Sequence, residues 1–304
     1  MRRIVLMVSA AAAAGLMACG DATGPGNASG EERDEVLAVL EASGWFAEDF
    51  GVDGATVDAS LAPGLSLGVS GAADTVSPVR RWGRRPGRPV EREITIDVAG
   101  DTARVTGILT FEGRFLLDRT DDGQANPTEK PLEEQAVHHA VLVRGEPNSA
   151  GRRWRLVQLS PREWRMTDEA RRTVRVTAVE VLVNGESKIL VEDPAELFDV
   201  NDRIPRLRVG DVVRVVATVE NTTGHGNEPA SFVFLHVYHA SPAAPAWIRL
   251  PMEVDDQGRY VREWTVRFPG RERVTVDAID SQTFNTDSDD DYRANGWGIP
   301  YRIE

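Results

Sequence analysis

The rhythm of apolar and polar positions changes twice along this chain. Behind Met1-Arg2-Arg3, residues Ile4 to Met17 form an apolar run whose only polar side chain is Ser9. From Glu31 to about Ser43, EERDEVLAVLEAS sets Val36, Leu37, Val39 and Leu40 on one stripe, with Ser29 as a cap and acids in the first turn. That predicts a short amphipathic helix. Trp45, Phe46 and Phe50 follow as core candidates, and Gly51 to Thr75 shows no period. From Glu93 the period becomes two. Ile94, Ile96 and Val98, then Val105, Ile108, Leu109 and Phe111, alternate around the turn Ala99-Gly100-Asp101 and predict two antiparallel strands. QAVHHAVLVRG and RRWRLVQLSPREW add two more, joined by the polar turn Glu146 to Gly151.

After Arg172 the helical signal is gone. TVRVTAVEVLVNG, DVVRVVATVEN, SFVFLHVYHA, AWIRLPMEVDDQGRYVREWTVRF and ERVTVDAID are alternating runs separated by turn chemistry, with Asp255 to Gly258 the clearest hairpin turn. The expected architecture is therefore two domains with a boundary near residues 168 to 173. An α+β domain, helix on antiparallel sheet, spans 31–170, and an all-β sandwich spans 171–304. The first half, through its early helix and GRRWRLVQLSPRE, is similar to the cone-shaped fold of the nuclear-transport-factor-like and polyketide-cyclase-like family. The second resembles immunoglobulin-like domains of bacterial surface proteins, without the cysteine pair of antibody domains.

The first thirty residues carry an address. A basic start, an apolar run and small residues are the order of a secretory signal. Fourteen residues at about 1.5 Å each make a helix of about 21 Å, short of the roughly 30 Å hydrocarbon core. Leu16-Met17-Ala18-Cys19 resembles the lipobox of bacterial lipoproteins. The resemblance implies a signal peptide over 1–18, cleavage before Cys19, and acylation of the Cys19 thiol and new amine. Cys19 is the single cysteine of the chain, and lipidation gives it a purpose that a lone exported thiol lacks. Residues 19–30, small and polar with one proline, read as a flexible tether.

Charge then narrows the partners. The net charge is −13, and it becomes −15 when Arg2 and Arg3 leave with the signal. That argues against nucleic acid and against electrostatic adhesion to anionic lipid, so acyl chains must supply the membrane anchor.

Candidate chemistry is sparse. Gly64-Leu65-Ser66-Leu67-Gly68 has the letters of a nucleophile elbow, but Pro63 precedes it and no helix pattern follows, so it reads as a glycine-rich loop. His138 and His139 are adjacent in a strand and point to opposite faces, as do His236 and His239; His225 stands alone, which argues against zinc. In DRTDDGQANPTE, Asp118, Thr120, Asp122, Gly123, Asn126 and Glu129 take positions one, three, five, six, nine and twelve of a loop that resembles the calcium loop of EF-hand proteins. Thr120 at position three, Ala125 at eight and Pro127 at the exit depart from that pattern, and a solvated polar loop is the competing reading. Asp287, Asp289, Asp290 and Asp291 form a second acidic cluster. Arg80, Arg81, Trp82, Arg84, Arg85 and Arg88 are the one concentrated basic patch. It suits an anionic sugar, phosphate or peptidoglycan carboxylate through forked hydrogen bonds, or else a solvated loop paired with the acid-rich remainder.

Together these features predict a lipid-anchored protein of the bacterial envelope that works by binding an envelope protein or glycan rather than by catalysis. The alternative is a small-ligand or cyclase- and isomerase-like activity in a pocket of the first domain, with His138 or His139 beside a carboxylate.

Overall fold

The computed structural model describes residues 26–27, 29–45, 62–63, 81–120, 122, 124, 126–226, 229–240, 245–267, 270–286, 288 and 292–304. In chain order the elements are β1 (Gly26–Asn27), α1 (Gly30–Ser43), β2 (Ala62–Pro63), β3 (Arg81–Ala99), β4 (Thr102–Asp118), β5 (Thr128–Arg144), β6 (Trp154–Leu159) and β7 (Arg162–Met166). There follow β8 (Val174–Val183), β9 (Glu186–Val191), β10 (Phe198–Asp199), β11 (Arg206–Leu207), β12 (Val212–Asn221) and β13 (Ser231–Ala240). The last are β14 (Pro245–Pro251), β15 (Glu253–Val254), β16 (Tyr260–Thr265), β17 (Gly270–Asp280), α2 (Ser281–Asn285) and β18 (Ala294–Ile303).

The helix forms as its pattern requires. Ser29 and Glu32 close a capping box, Gly44 ends the helix at φ 75°, and Val36, Val39 and Leu40 are buried. It docks on the sheet through Arg33, whose Nη2 donates to Ile94 O at 2.9 Å. Two ion pairs add to this, Arg144 to Glu32 at 2.5 Å and Arg153 to Glu35 at 3.1 Å.

Among the described residues the strands form two sheets. The larger follows the order β1-β3-β4-β5-β7-β18-β17-β13-β14, with β2 on β3, β6 on β5, β10 on β6 and β11 on β18. The smaller is β15-β16-β12-β8-β9. The larger sheet curls until its two ends meet. Arg249 of β14 donates from Nη2 to Trp82 O of β3 at 2.9 Å, and the Trp82 and Phe234 rings are 4.7 Å apart. The smaller sheet packs on the outer face of β18, β17 and β13, which makes this half of the molecule sandwich-like. Val176, Val181 and Val215 there share a core with Leu235, Val276 and Ile299.

This overturns the expected fold class. There is no α+β cone domain followed by a separate immunoglobulin-like sandwich; the described chain is nearly all β, built on one curled antiparallel sheet. Two local features explain the difference. Ser160-Pro161 divides RRWRLVQLSPREW into β6 and β7, and β7 pairs both with β5 and with the C-terminal β18, so the first half hydrogen-bonds directly into the second. The stretch Arg81 to Pro89, whose prolines and glycines suggested a loop, is instead the first half of the 19-residue β3. Its register with β4 shifts between Pro86, Pro89 and Glu91, where bulges absorb the prolines. Gly87 is needed there because a Cβ would lie 2.1 Å from Glu112 O. Past residue 170 the chain crosses to the smaller sheet at β8.

Candidate functional site

Alternation along the curled sheet aims one residue in two at its concave side. Trp82 and Arg84 of β3, Phe115 of β4, Glu134 of β5, His236 of β13 and Asp277 of β17 all project there and are buried. Tyr292, just before β18, joins them.

Polar atoms inside this aromatic shell find each other. Arg84 forks onto Asp277, Nη1 to Oδ2 at 2.5 Å and Nη2 to Oδ1 at 2.9 Å, while its Nε donates to Tyr292 Oη at 2.8 Å. Tyr292 in turn donates to Glu134 Oε1 at 2.6 Å, and His236 Nε2 lies 3.0 Å from Asp277 Oδ2. Trp82, Phe115 and Phe284 stack around the group, and the Arg84 guanidinium sits 5.7 Å from the Tyr292 ring centre.

The electrostatics follow from burial and charge. Burial alone pushes the Asp277 carboxyl up, but the Arg84 charge and the His236 hydrogen bond outweigh it and hold the group far below the usual carboxylate range. Burial likewise pulls Arg84 down, and the charge of Asp277 reverses the balance and raises it. Burial drives the Tyr292 phenol well up, so it stays a neutral donor. A histidine oriented by a carboxylate is the arrangement of a general base. Here, however, the side chains of His236, Asp277 and Arg84 are only 0–2% exposed, and Asp277 is already committed to the guanidinium. The arrangement can clamp β3 to β17 across the curl; it offers no face to a substrate.

The residues singled out in the sequence are divided by the same alternation. Trp82 and Arg84 belong to the interior, whereas Arg81 and Arg85 face outward. Arg81 Nε lies 3.8 Å from Asp118 Oδ2, and Arg85 Nη1 lies 3.0 Å from Glu129 Oε1, with Arg114 3.8 Å away on the other Glu129 oxygen. The basic patch and the acidic loop, read separately as an anion site and a calcium site, are thus partners across β3, β4 and β5.

Asp118, Thr120, Asp122 and Asn126 do gather. Thr120 Oγ1 donates to Asp118 at 2.8 Å and lies 2.7 Å from Asn126 Oδ1, and Asn126 Nδ2 donates to Asp122 at 3.2 Å. Glu129, at the twelfth position, is turned to the arginines. Among the described residues no group of three or more histidine, cysteine, aspartate or glutamate side chains is placed to hold a metal ion. Cys19, Arg80, Gly64 to Gly68, Gly123, Asp287 and Asp289 to Asp291 lie outside the described residues, as does the side chain of Arg88.

The histidines separate as their spacing required. His138 is buried, and burial with the charges of Arg162 and Arg273 holds its imidazole well below the ordinary value. His139 faces the other way, with Nδ1 3.1 Å from Thr106 Oγ1. His225 pairs with Asp280 at 3.0 Å, in a knot that Asn221 and Thr223 complete. With the cone overturned, the structure places His138 as a buried side chain of the curled sheet. Trp45 reaches into that side of the sheet, where Arg162 Nη2 donates to its carbonyl at 3.2 Å and Arg273 lies over its ring.

Shallow grooves lie elsewhere. One of about 330 Å³ runs along the bulge between Arg85, Glu112, Arg114 and Glu133, and one of about 440 Å³ lies between Lys188, Arg206, Asp211 and Glu304. Each is lined by charges of both signs.

The clamp residues Glu134, His236, Asp277 and Tyr292 were missed by sequence reasoning. RVTVDAID gave no signal of the clamp: Arg273, Thr275 and Asp277 alternate with Val274, Val276 and Ala278 as they would in a strand with one face in water, and only the curl of the sheet buries that polar face.

No family model, curated protein or solved structure matches this chain. Among the described residues no helix is long and apolar enough to cross a membrane.

Proposed function

We propose that this protein is a lipid-anchored module of the bacterial cell envelope that binds a protein or glycan partner through the loops and outer faces of its β body. The observation that carries this reading is Leu16-Met17-Ala18-Cys19 at the end of a basic-then-apolar segment, with the chain's single cysteine at the position to be acylated. Several acyl chains on one residue exceed the two-signal requirement for stable anchoring. The acidic body has little electrostatic affinity of its own for anionic lipid. The ordered histidine and carboxylate pair is consumed by a buried ion pair, which favours a binding role over a catalytic one.

Fractionation of a bacterial host expressing the full chain, wild type beside Cys19→Ala, tests it. The wild type is expected in the membrane pellet, extractable by detergent but not by salt, and the variant is expected in the soluble fraction. A variant that pellets with membranes as completely as the wild type overturns the reading.

A further inference from the structure

The smaller sheet turns one face to the core and the other to water, and the watered face is not wholly polar. One row across it sets Leu190 of β9 opposite Glu180 of β8, Glu180 opposite Val216 of β12, and Val216 opposite Val261 of β16. In the next row on the same face Leu182 of β8 lies opposite Arg214 of β12, and Arg214 opposite Glu263 of β16; in the row after that Val212 lies opposite Thr265. Leu190, Leu182 and Val212 therefore run in line diagonally across three strands, with Val216 and Val261 beside them. Leu190 and Val212 are 49% and 44% exposed. Single aliphatic side chains on a surface need no partner, whereas a contiguous band of them marks a contact.

The edges of this sheet discourage an added strand. β9 carries an extra residue, the lysine Lys188, where its register with β8 shifts between Val181 and Leu182, and β15 at the other edge is two residues long. A partner is left the face.

That face is its own complement. Leu182, Val216, Glu180 and Arg214 form a square on β8 and β12, apolar along one diagonal and oppositely charged along the other. A two-fold axis lying in the face along the Leu182–Val216 diagonal sets each of these two on its own counterpart and exchanges the other corners, so that Glu180 of each copy meets Arg214 of the other. Within one copy Arg214 Nη1 lies 3.5 Å from Glu263 Oε1, an exposed contact that leaves the remaining N–H groups of the guanidinium to the partner. The area is sufficient. At about 3.3 by 4.8 Å per residue, β8, β9, β12 and β16 offer about 500 Å² per copy. Two such faces bury about 1,000 Å², the least that a specific interface buries.

We propose that the outer faces of two smaller sheets pack together in a two-fold dimer of this chain, centred on Leu182 and Val216. Because the same patch meets itself, the contact closes at two copies and builds no filament. It goes beyond the lipid-anchored reading and needs no anchor, so its failure leaves that reading intact.

The full chain carrying Cys19→Ala, in which an added cysteine is the only thiol, is the material for the test. In sedimentation equilibrium at about 100 µM it is expected to be a dimer. Leu182→Arg, on the watered face, is expected to be monomeric with an unchanged urea midpoint, and Glu180→Arg to weaken association at least about tenfold. Leu182→Cys is expected to be cross-linked to its own counterpart by a bismaleimide spanning about 10 Å, the spacing of packed sheets, and Ser149→Cys in the exposed β5–β6 turn is not. A monomeric parent at that concentration overturns the dimer. A dimer that persists in Leu182→Arg, or that cross-links as well from 149 as from 182, overturns this face as its contact.

Discussion

Between the two sheets, Val179, Val181, Val213 and Val215 meet Leu235, Val274 and Val276 in a core of aliphatic side chains. Inside the curl of the larger sheet, Trp82, Phe115, Phe234 and Phe284 enclose Arg84, Asp277, His236 and Tyr292. Both regions are buried and both join distant strands, yet they hold them differently. The aliphatic core gains from burial in proportion to area and has no directional requirement. The aromatic core closes only in the register that brings Arg84 to Asp277, because a buried charge without its partner costs several kcal/mol. A β body can thus be given bulk stability by one region and a defined closure by the other.

The sharpest way to break the contrast is to remove one partner of the buried pair. Asp277→Ala, which leaves the Arg84 guanidinium uncompensated, is expected to cost about 3–5 kcal/mol in urea unfolding, whereas Arg84→Met with Asp277→Leu should recover most of that loss. A single variant costing no more than the double would show that the interior is wetter than its burial implies. Next in size, Leu235→Ala in the aliphatic core should cost about 2–5 kcal/mol with no rescue by any second polar change.

pH separates the regions further. The depressed Asp277 carboxyl contributes stability that is present above its unfolded value of about 4 and is lost as pH falls below it. His138, held well below its ordinary value, acts earlier. The unfolded chain takes up a proton near pH 6.5 that the folded chain refuses, so stability falls as pH drops below about 6.5. Urea midpoints at pH 7.5, 6.5 and 5.5 should show that slope in the wild type and a shallower one in His138→Gln; parallel slopes would contradict it. The smallest effect is expected at the rim, where Glu35→Gln breaks a partly exposed pair with Arg153 and should cost less than about 1 kcal/mol in the same assay.

How far the sequence could be read depended on whether a residue's role was local. Ser29, Glu32 and Gly44 act within one helix, and the predicted helix is found as α1. Gly100 and Gly258 sit in turns at positive φ where alternation predicted hairpins. The curl was not legible, because it depends on β7 choosing β18 as its second neighbour, a pairing some 130 residues apart in the chain. Arg81 to Pro89 misled for a related reason: prolines that speak for a loop are tolerated at a bulge when Glu112 and its strand lie alongside. The candidate sites fared similarly. That Arg85 answers Glu129, and Arg81 answers Asp118, is a matter of register between three long strands, which neither motif contains. Gly298 makes the same point in the C-terminal strand, since a Cβ there would lie 2.7 Å from Trp164, a contact that only the folded sheet creates.

Lipid anchoring is the claim on which the proposed role stands, and the intact mass of the full-length product purified from bacterial membranes tests it most directly. The account predicts a species that lacks residues 1–18, begins at Cys19 and carries the added mass of its acyl chains. A species that retains Met1 to Ala18, or one that begins at Cys19 without acyl mass, would contradict it.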